Sequence, residues 1–556
     1  MPDRSPSVAD VVGTTIAACG VKDAFGVIGS GNLVATNALV HHGARFYAAR
    51  QETGAVCMAD GYARVTQRLG VCSVHQGPGL TNAITGLAEA AKSRTPLLVL
   101  AGETPAAALT SNFRIDQHDL VESVGAIAER LHSPDTAADD AQRAYHRALI
   151  ESRPVVLMLP IDIQAQPATQ RQPSRPSPPP IKPPAPDPEA IAQAIDLIAA
   201  ADKPAIIAGR GAAHSGARNE LEQLGELTGS VLATSAPANG LFHGLPYALG
   251  IAGGFASPHA AELIHQADLI LAFGASLNQW TTKHGRLINP DAKLIQVDVD
   301  RRQIGRNRPA DLAIVADAKA TAHALTGELE QRSHAHTGFR TPEMAGQIEK
   351  NTWREEPYED AGTDEYIDPR TLSIAVDDLL PENRAVAVDS GAFTGYPAMF
   401  LTVPSANNWV FANGFQSIGL GLGTAIGAAI ADPDRVTVAA VGDGGLFMAL
   451  AELETAARLK LGNLLVLIYD DAAYGAEVHH FAPMGHDVST VRFPDADIAA
   501  IAHAAGARAA TIRTTDDLNT AIPDWLTAQS GRPLVLDAKV NPSISADWLA
   551  DAFRGG

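Results

Sequence analysis

The sequence predicts an α/β protein built from three doubly wound domains, each on a mostly parallel sheet. Three observations lead there. Short apolar runs alternate with helical patterns along most of the 556 residues, which is the βαβ signature of helix-covered parallel sheets. The composition is 46% hydrophobic but only 5% aromatic, as closely packed helix–sheet layers rich in Ala and Gly require. The length corresponds to about three domains on the usual size range.

Residues 1–163 form the first domain. DAFGVIG, GVCSVH, PLLVLAG and PVVLMLP read as strands, with the strand before the glycine turn ending at His75. VADVVGTTIAACG and TNAITGLAEAAKS read as helices, the latter starting near Thr81. Residues 164–188 hold ten prolines; such a stretch cannot join a sheet or helix and reads as an extended linker. The central domain, 189–328, has strands KPAIIAG, SVLAT, DLILAFG and KLIQVDVD. A polar second linker covers 329–365. The third domain, 366–556, has strands AVAVDSG, VTVAAVGDG, NLLVLIYDD and PLVLDAKV, and WLADAFRGG reads as a short tail. No short repeat is visible.

A formal charge of −20 argues against a nucleic-acid surface. Cys19, Cys57 and Cys72 make neither a CxxC pair nor a disulfide framework, so a reduced, cytoplasmic protein is expected. MPDRSPSVAD lacks the apolar stretch of a signal peptide. No apolar run is long enough to span a bilayer, so no membrane partner is expected.

The most informative segment is 439–477. One strand ends in Gly442-Asp443-Gly444-Gly445, and the next, Leu464–Tyr469, ends in Asp470-Asp471. Ligands of open α/β sheets bind beyond the carboxyl ends of strands. Two carboxylates there suit a hard cation such as Mg²⁺, and glycine-freed N–H groups suit a phosphate. The local reading is a Mg²⁺–diphosphate site. Three further features stand out. Glu52 opens a helix of small residues, where a carboxylate also simply complements the helix dipole. His75 sits at a strand end over the crevice, able to exchange protons near neutrality. Glu477 and His480 are three apart and share a helix face, beside His479.

Taken together, RQETGAVCMADGYAR, HQGPGLTNAITGLAEAAKSRTPLLVLAGE, ADLILAFGASL with LIQVDVD, GFQSIGLGLGTAIGAA and GDGG…DDAAYG resemble the thiamine diphosphate (ThDP)-dependent superfamily of acetolactate synthases, benzoylformate decarboxylases and pyruvate decarboxylases. The resemblance covers nearly the whole chain and implies pyrimidine-binding, central and diphosphate-binding domains in that order. It implies that Glu52 hydrogen-bonds the aminopyrimidine and that Ile418 supports the bent cofactor. It implies that Asp443, Asp471 and the Ala473 carbonyl ligate Mg²⁺. Gly442, Gly444, Gly445 and the Ser390-Gly391 turn match positions lining the diphosphate. A C2 ylid and an enamine intermediate are the chemistry so implied.

One departure is plain: the family usually has Asn-Asn where this chain has Asp470-Asp471. His75 and the Ile28-Gly29-Ser30 loop resemble benzoylformate decarboxylase, whose histidine moves protons and whose serine meets the substrate carboxylate. Glu477 falls where pyruvate decarboxylase carries an active-site glutamate, whereas a second benzoylformate decarboxylase histidine aligns near Thr281, out of register with His284. His118 lies in a loop that supplies polar groups in several relatives. The expectation is a ThDP- and Mg²⁺-dependent 2-oxo acid decarboxylase or carboligase using Glu52, His75, Glu477, His480 and Ser30. The alternatives are an acetolactate synthase-type transferase with FAD in the central domain, where GRGAAHSG is a weak signal and FAD is not favoured, and a non-catalytic ThDP-binding protein. The resemblance further implies a homodimer at least, with a homotetramer expected, because the cofactor spans two subunits.

Overall fold

In the computed structural model, residues 5–174, 181–528 and 530–553 are described. They form three six-stranded sheets whose strand pairings are all parallel. The first contains β1 (Asp23–Gly26), β2 (Arg45–Ala48), β3 (Gly70–Val74), β4 (Leu97–Glu103), β5 (Ile127–Arg130) and β6 (Pro154–Pro160). The second contains β7 (Pro204–Ala208), β8 (Val231–Thr234), β9 (Ala248–Ile251), β10 (Leu269–Phe273), β11 (Lys293–Asp298) and β12 (Leu312–Val315). The third contains β13 (Arg384–Val388), β14 (Trp409–Phe411), β15 (Val436–Gly442), β16 (Leu464–Asp470), β17 (Arg508–Ile512) and β18 (Leu534–Lys539). Interior strands such as β3, β6, β10 and β16 are buried at every residue, because helices cover both faces of a parallel sheet.

The outer sheets have the same strand order. The first runs 2-1-3-4-6-5 and the third runs 14-13-15-16-18-17. Each therefore reverses direction at its first strand, opening a crevice at the carboxyl ends there. Nothing in the sequence repeats to announce this likeness.

The outer units are packed on each other rather than merely tethered. One buried cluster includes Val56, Met58 and Leu80 from the first unit and Leu422, Ile426 and Val441 from the third. At its centre the Glu52–Thr66 helix crosses the Gly421–Ala431 helix with almost no side chain between them. A Cβ on Gly61 would overlap the Thr424 carbonyl oxygen, and one on Gly427 would overlap the Met58 carbonyl oxygen. The sequence places MADGYAR, with Gly61, in one helix and GLGTAIGAA in the other for this approach.

Several expectations need correction. His75 follows β3 rather than ending it, and its helix begins at Pro78, because Gly77 at φ +60° turns the chain directly into a helix with proline in its first turn. The proline-rich stretch is anchored at its start, where Ala168 N–H donates to the Pro6 carbonyl; its residues 175–180 lie outside the described residues. The 329–365 stretch carries a helix, Pro342–Lys350, and buries Phe339 and Ile348. The tail is instead a helix, Asp547–Ala552, with Trp548 and Leu549 buried, its last three residues lying outside the described ones. Amphipathic signals of six to nine residues are too short to separate helix from loop by pattern alone.

Replacing Gly427 with Val forces the two helices apart. Overpacking costs about 1–3 kcal/mol even where side chains can move, and here the obstacle is backbone. Thermal unfolding should show a clear loss of stability in Gly427→Val and little change in a control with open space at the Cβ position such as Gly346→Ala.

Candidate active site

Two strand ends of the third sheet set the site. β15 ends at Gly442, and a short helix, Asp443–Met448, follows at once. β16 ends at Asp470, and Ala472 at φ +52° turns the chain sharply outward. Asp443 is buried. Burial and the nearby Asp470 and Asp471 charges raise its pKa to about 8, and burial raises that of Asp471 to about 6. Neither carboxylate has an ion pair among the described residues. Ala473 completes the set: Phe493 N–H donates to the Ala472 carbonyl and Tyr474 N–H to Val491, which leaves the Ala473 carbonyl outside this ladder. No cluster of three or more His, Cys, Asp or Glu side chains fit for a metal occurs among the described residues. One buried and one half-buried carboxylate with one free carbonyl are a donor set for a hard cation with room for other oxygens.

Close approach explains the glycines. A Cβ on Gly444 would come within 2.7 Å of the Tyr474 ring, and one on Gly445 within 2.6 Å of Asp389 Oδ2. With no side chain on either glycine, the backbone of the turn is open to close approach, as a phosphate cradle requires.

Asp389 is the organiser that the motifs did not reveal. It is fully buried at the end of β13. Its carboxylate accepts N–H bonds from Ser390, Gly419 (2.8 Å) and Leu420 (3.2 Å). It therefore fixes the Ser390-Gly391 turn and the segment bearing Ile418 together. Burial still lifts its pKa to about 6. The signal was present: AVAVDSG is a third strand ending in a carboxylate.

These parts line one cavity of about 1000 Å³, which holds Ser390, Gly391, Ile418, Gly442–Gly445, Asp471, Ala473 and Glu477. Its far wall comes from the central unit, with Arg210, Ser235 and Asp298, and from aromatic side chains. Trp280 and Trp548 meet edge to face with ring centroids 5.8 Å apart. The helix Gly475–Phe481 turns differently from expectation. Glu477 and His479 line the cavity, whereas His480 does not; its ring stacks on Phe553 at 3.9 Å. A seven-residue helix held by the Asp547–Ala552 helix, not the three-residue spacing, decides which histidine faces inward. His284 Nε2 donates to the Asp551 carbonyl, 2.7 Å away, and is not in the lining; Thr281 is.

The remaining predicted residues gather elsewhere on the same chain. Glu52 Oε2 accepts from Asn82 Nδ2 at 3.0 Å. Gly79 packs between Glu52 Oε1 and His75 Cβ. Gly31 N–H donates to His75 Nδ1 at 3.2 Å, so the ring is neutral with its hydrogen on Nε2. Burial lowers the His75 pKa, opposed by the Glu52 charge. Ser30 is exposed in the adjoining loop, and His118 is exposed beside Asp119. Gln117, not His118, is the buried partner: it accepts from Gly77 N–H and donates to Gly102. None of Ser30, Glu52 and His75 lines the cavity that holds Asp443 and Asp471.

Comparison with known proteins matches this arrangement unit by unit. Residues 6–123 match the N-terminal thiamine pyrophosphate (TPP) binding domain, 191–325 the TPP enzyme central domain, and 389–538 the C-terminal TPP binding domain. The chain belongs to the thiamine pyrophosphate enzyme family. It is 28% identical to a sulfoacetaldehyde acetyltransferase of Rhodobacter capsulatus, covering 96% of this chain and 94% of the relative. It is 28% identical to a probable acetolactate synthase large subunit of Methanocaldococcus jannaschii, covering 98% and 94%. It is 30% identical to a probable 2-ketoarginine decarboxylase of Pseudomonas aeruginosa, covering 85% and 84%. No helix among the described residues is long and apolar enough to cross a membrane.

The raised carboxyl pKa values have a measurable consequence. Without a cation, folded Asp443 and Asp471 hold protons that the unfolded chain releases near pH 4. This contribution to stability is full below the unfolded pKa and is lost as pH rises through about 6 and then 8. The contribution of these two groups to the melting temperature of metal-free protein should therefore fall between about pH 4 and 8. Saturating Mg²⁺ with ThDP should flatten that slope, because a cation replaces the protons.

Proposed function

We propose that this enzyme is a ThDP- and Mg²⁺-dependent 2-oxo acid decarboxylase and carboligase. The buried Asp443 and half-buried Asp471, both without a cationic partner among the described residues, beside the Gly444-Gly445 turn support the Mg²⁺–diphosphate part of this reading. The single observation that carries the reaction is the shared crevice of Glu52 and His75. There a carboxylate suited to activating the cofactor lies one glycine from a neutral imidazole that presents Nε2–H. The bound cofactor supplies a nucleophilic carbon and an electron sink. Glu52 holds a proton on the aminopyrimidine ring. His75 donates from Nε2 to a substrate oxygen, and its lowered pKa keeps it neutral through the physiological range. Ser30 binds the substrate carboxylate. Glu477 moves a proton at the cavity's inner end, with His479 rather than His480 beside it.

Because one chain holds these two groups apart, we infer that the site forms between two chains, a homodimer being the minimum and a homotetramer expected. Exposed apolar side chains flank both halves: Ile28, Leu33 and Phe113 near Ser30 and His75, and Phe415, Phe447 and Met448 near the cavity. A second reading, an acetolactate synthase-type transferase with a nucleotide such as FAD in the central unit, is favoured by Arg210. This residue lies at the switch point between β7 and β10, has no acidic partner among the described residues, and is pushed down to about 10 by burial. A yellow purified protein would favour that reading.

The deciding assay is a panel of 2-oxo acids with ThDP and Mg²⁺, reading CO₂ release and acyloin products. Glu52→Gln should retain ThDP binding but lose hydrogen–deuterium exchange at the thiazolium C2; normal exchange would remove Glu52 from its role. Mixing Glu52→Gln chains with Asp443→Ala chains tests the shared site. Random dimers should recover about a quarter of wild-type activity, since half the chains pair unlike and each such pair holds one intact site. No recovery would mean that each chain works alone.

A further inference from the structure

Asp470 departs from the neutral amide its relatives usually carry, and the chain compensates for it in one place. Lys539, in register opposite Asp470 on the neighbouring strand β18, is 4% exposed. Its Nζ lies 2.6 Å from Asp470 Oδ2, 2.6 Å from Asp495 Oδ1, 3.1 Å from Asp537 Oδ2 and 3.0 Å from the Ala496 carbonyl. These partners come from the end of β16, from segment 491–496 and from β18 itself. Asp470 Oδ1 accepts from Ala472 N–H at 3.0 Å, and Asp471 Oδ1 accepts from Ala473 N–H at 3.2 Å. These two bonds impose the turn. Segment 491–496, which supplies Asp495 and Ala496, also pairs with Ala472 and Tyr474 on the turn's outer side. One ammonium thus closes a triangle of strand β18, turn 470–475 and segment 491–496.

We propose that Lys539 is a positioning residue for the metal: through Asp470 and segment 491–496 it holds the turn that presents the Asp471 carboxylate and the Ala473 carbonyl together. The inference rests on the Mg²⁺–diphosphate reading above. A buried acid next to two further carboxylates would otherwise repel them or take up a proton, and either response would move the turn. The cation makes an Asp tolerable where relatives use Asn. Removing the cation alone should be harmful, whereas removing both charges should be mild, because an asparagine at 470 keeps the acceptor for Ala472 N–H.

The test titrates Mg²⁺ into apo-protein with fixed ThDP and follows tryptophan fluorescence, so that binding is read without turnover. Lys539→Met should raise the Mg²⁺ half-saturation on the order of tenfold, as loss of support behind a metal ligand does. The double variant Asp470→Asn/Lys539→Met should recover most of that loss. Half-saturation within about twofold of wild type in Lys539→Met, or no recovery in the double variant, would overturn the proposal. If Lys539→Met does not fold, Asp495→Asn decides. Asp495 is 62% exposed, so its loss spares the core, and a weakening of about threefold or more is expected; unchanged binding overturns the proposal. Wild-type protein without Mg²⁺-dependent ThDP binding would instead refute the site assignment itself.

Discussion

The backbone-to-backbone crossing of the Glu52–Thr66 and Gly421–Ala431 helices is the constraint on which the rest depends. It joins the outer units into one buried cluster and fixes both site halves on one rigid body. Glu52 opens the first helix, and Ile418 lies just before the second. A second contact reinforces the first. The buried Glu452 carboxylate accepts N–H bonds from Arg50 and Gln51, and Arg458 donates to the Ala48 carbonyl. The residues leading into Glu52 are therefore held by the segment that follows the glycine turn. Preorganisation of this kind matters because a displacement of about 1 Å in a reacting group can cost two orders of magnitude in rate.

Electrostatics divides the carboxylates around the turn into two kinds. Asp470 and Asp537 share the Lys539 ammonium beneath the turn, and Asp389 is held by backbone N–H groups. Asp443 and Asp471 pair with no cationic side chain among the described residues, although Asp471 accepts from Ala473 N–H. Buried charge is tolerated only when paired, hydrogen-bonded or neutralised by a bound cation. The two acids left without countercharge are the ones that the sequence pairs with a diphosphate turn, and the others form the scaffold beneath them.

Much of the fold was legible because parallel strands buried on both faces are continuous apolar runs, and β3, β6, β10 and β16 show them plainly. The short strands β9, β12, β14 and β17 were not recognised, since three to five residues at a sheet edge carry no decisive pattern. The glycine and acidic strand ends were legible as one cluster, and Gly442–Gly445 and Asp471 do line one cavity. His479 and His480 were not separable, because which one faces the cavity depends on the Asp547–Ala552 helix that stacks Phe553 on His480. Asp389, Glu452 and Gln117 escaped notice for a related reason. Each acts through backbone N–H groups supplied from elsewhere in the chain, and Glu452 reaches across some 400 residues of sequence.

The sequence by itself determined the fold class, the order of three α/β units, and the chemical character of the strand ends, because periodicity and residue type act locally. Only the tertiary structure decided which groups meet. It placed Asp443, Asp471 and Glu477 in one cavity and Glu52, His75 and Ser30 in another crevice of the same chain. It also turned Asp470 from a candidate liganding neighbour into half of a buried ion pair. Close helix packing and long-range pairing of strands set those distances, and neither is written in any contiguous stretch of residues.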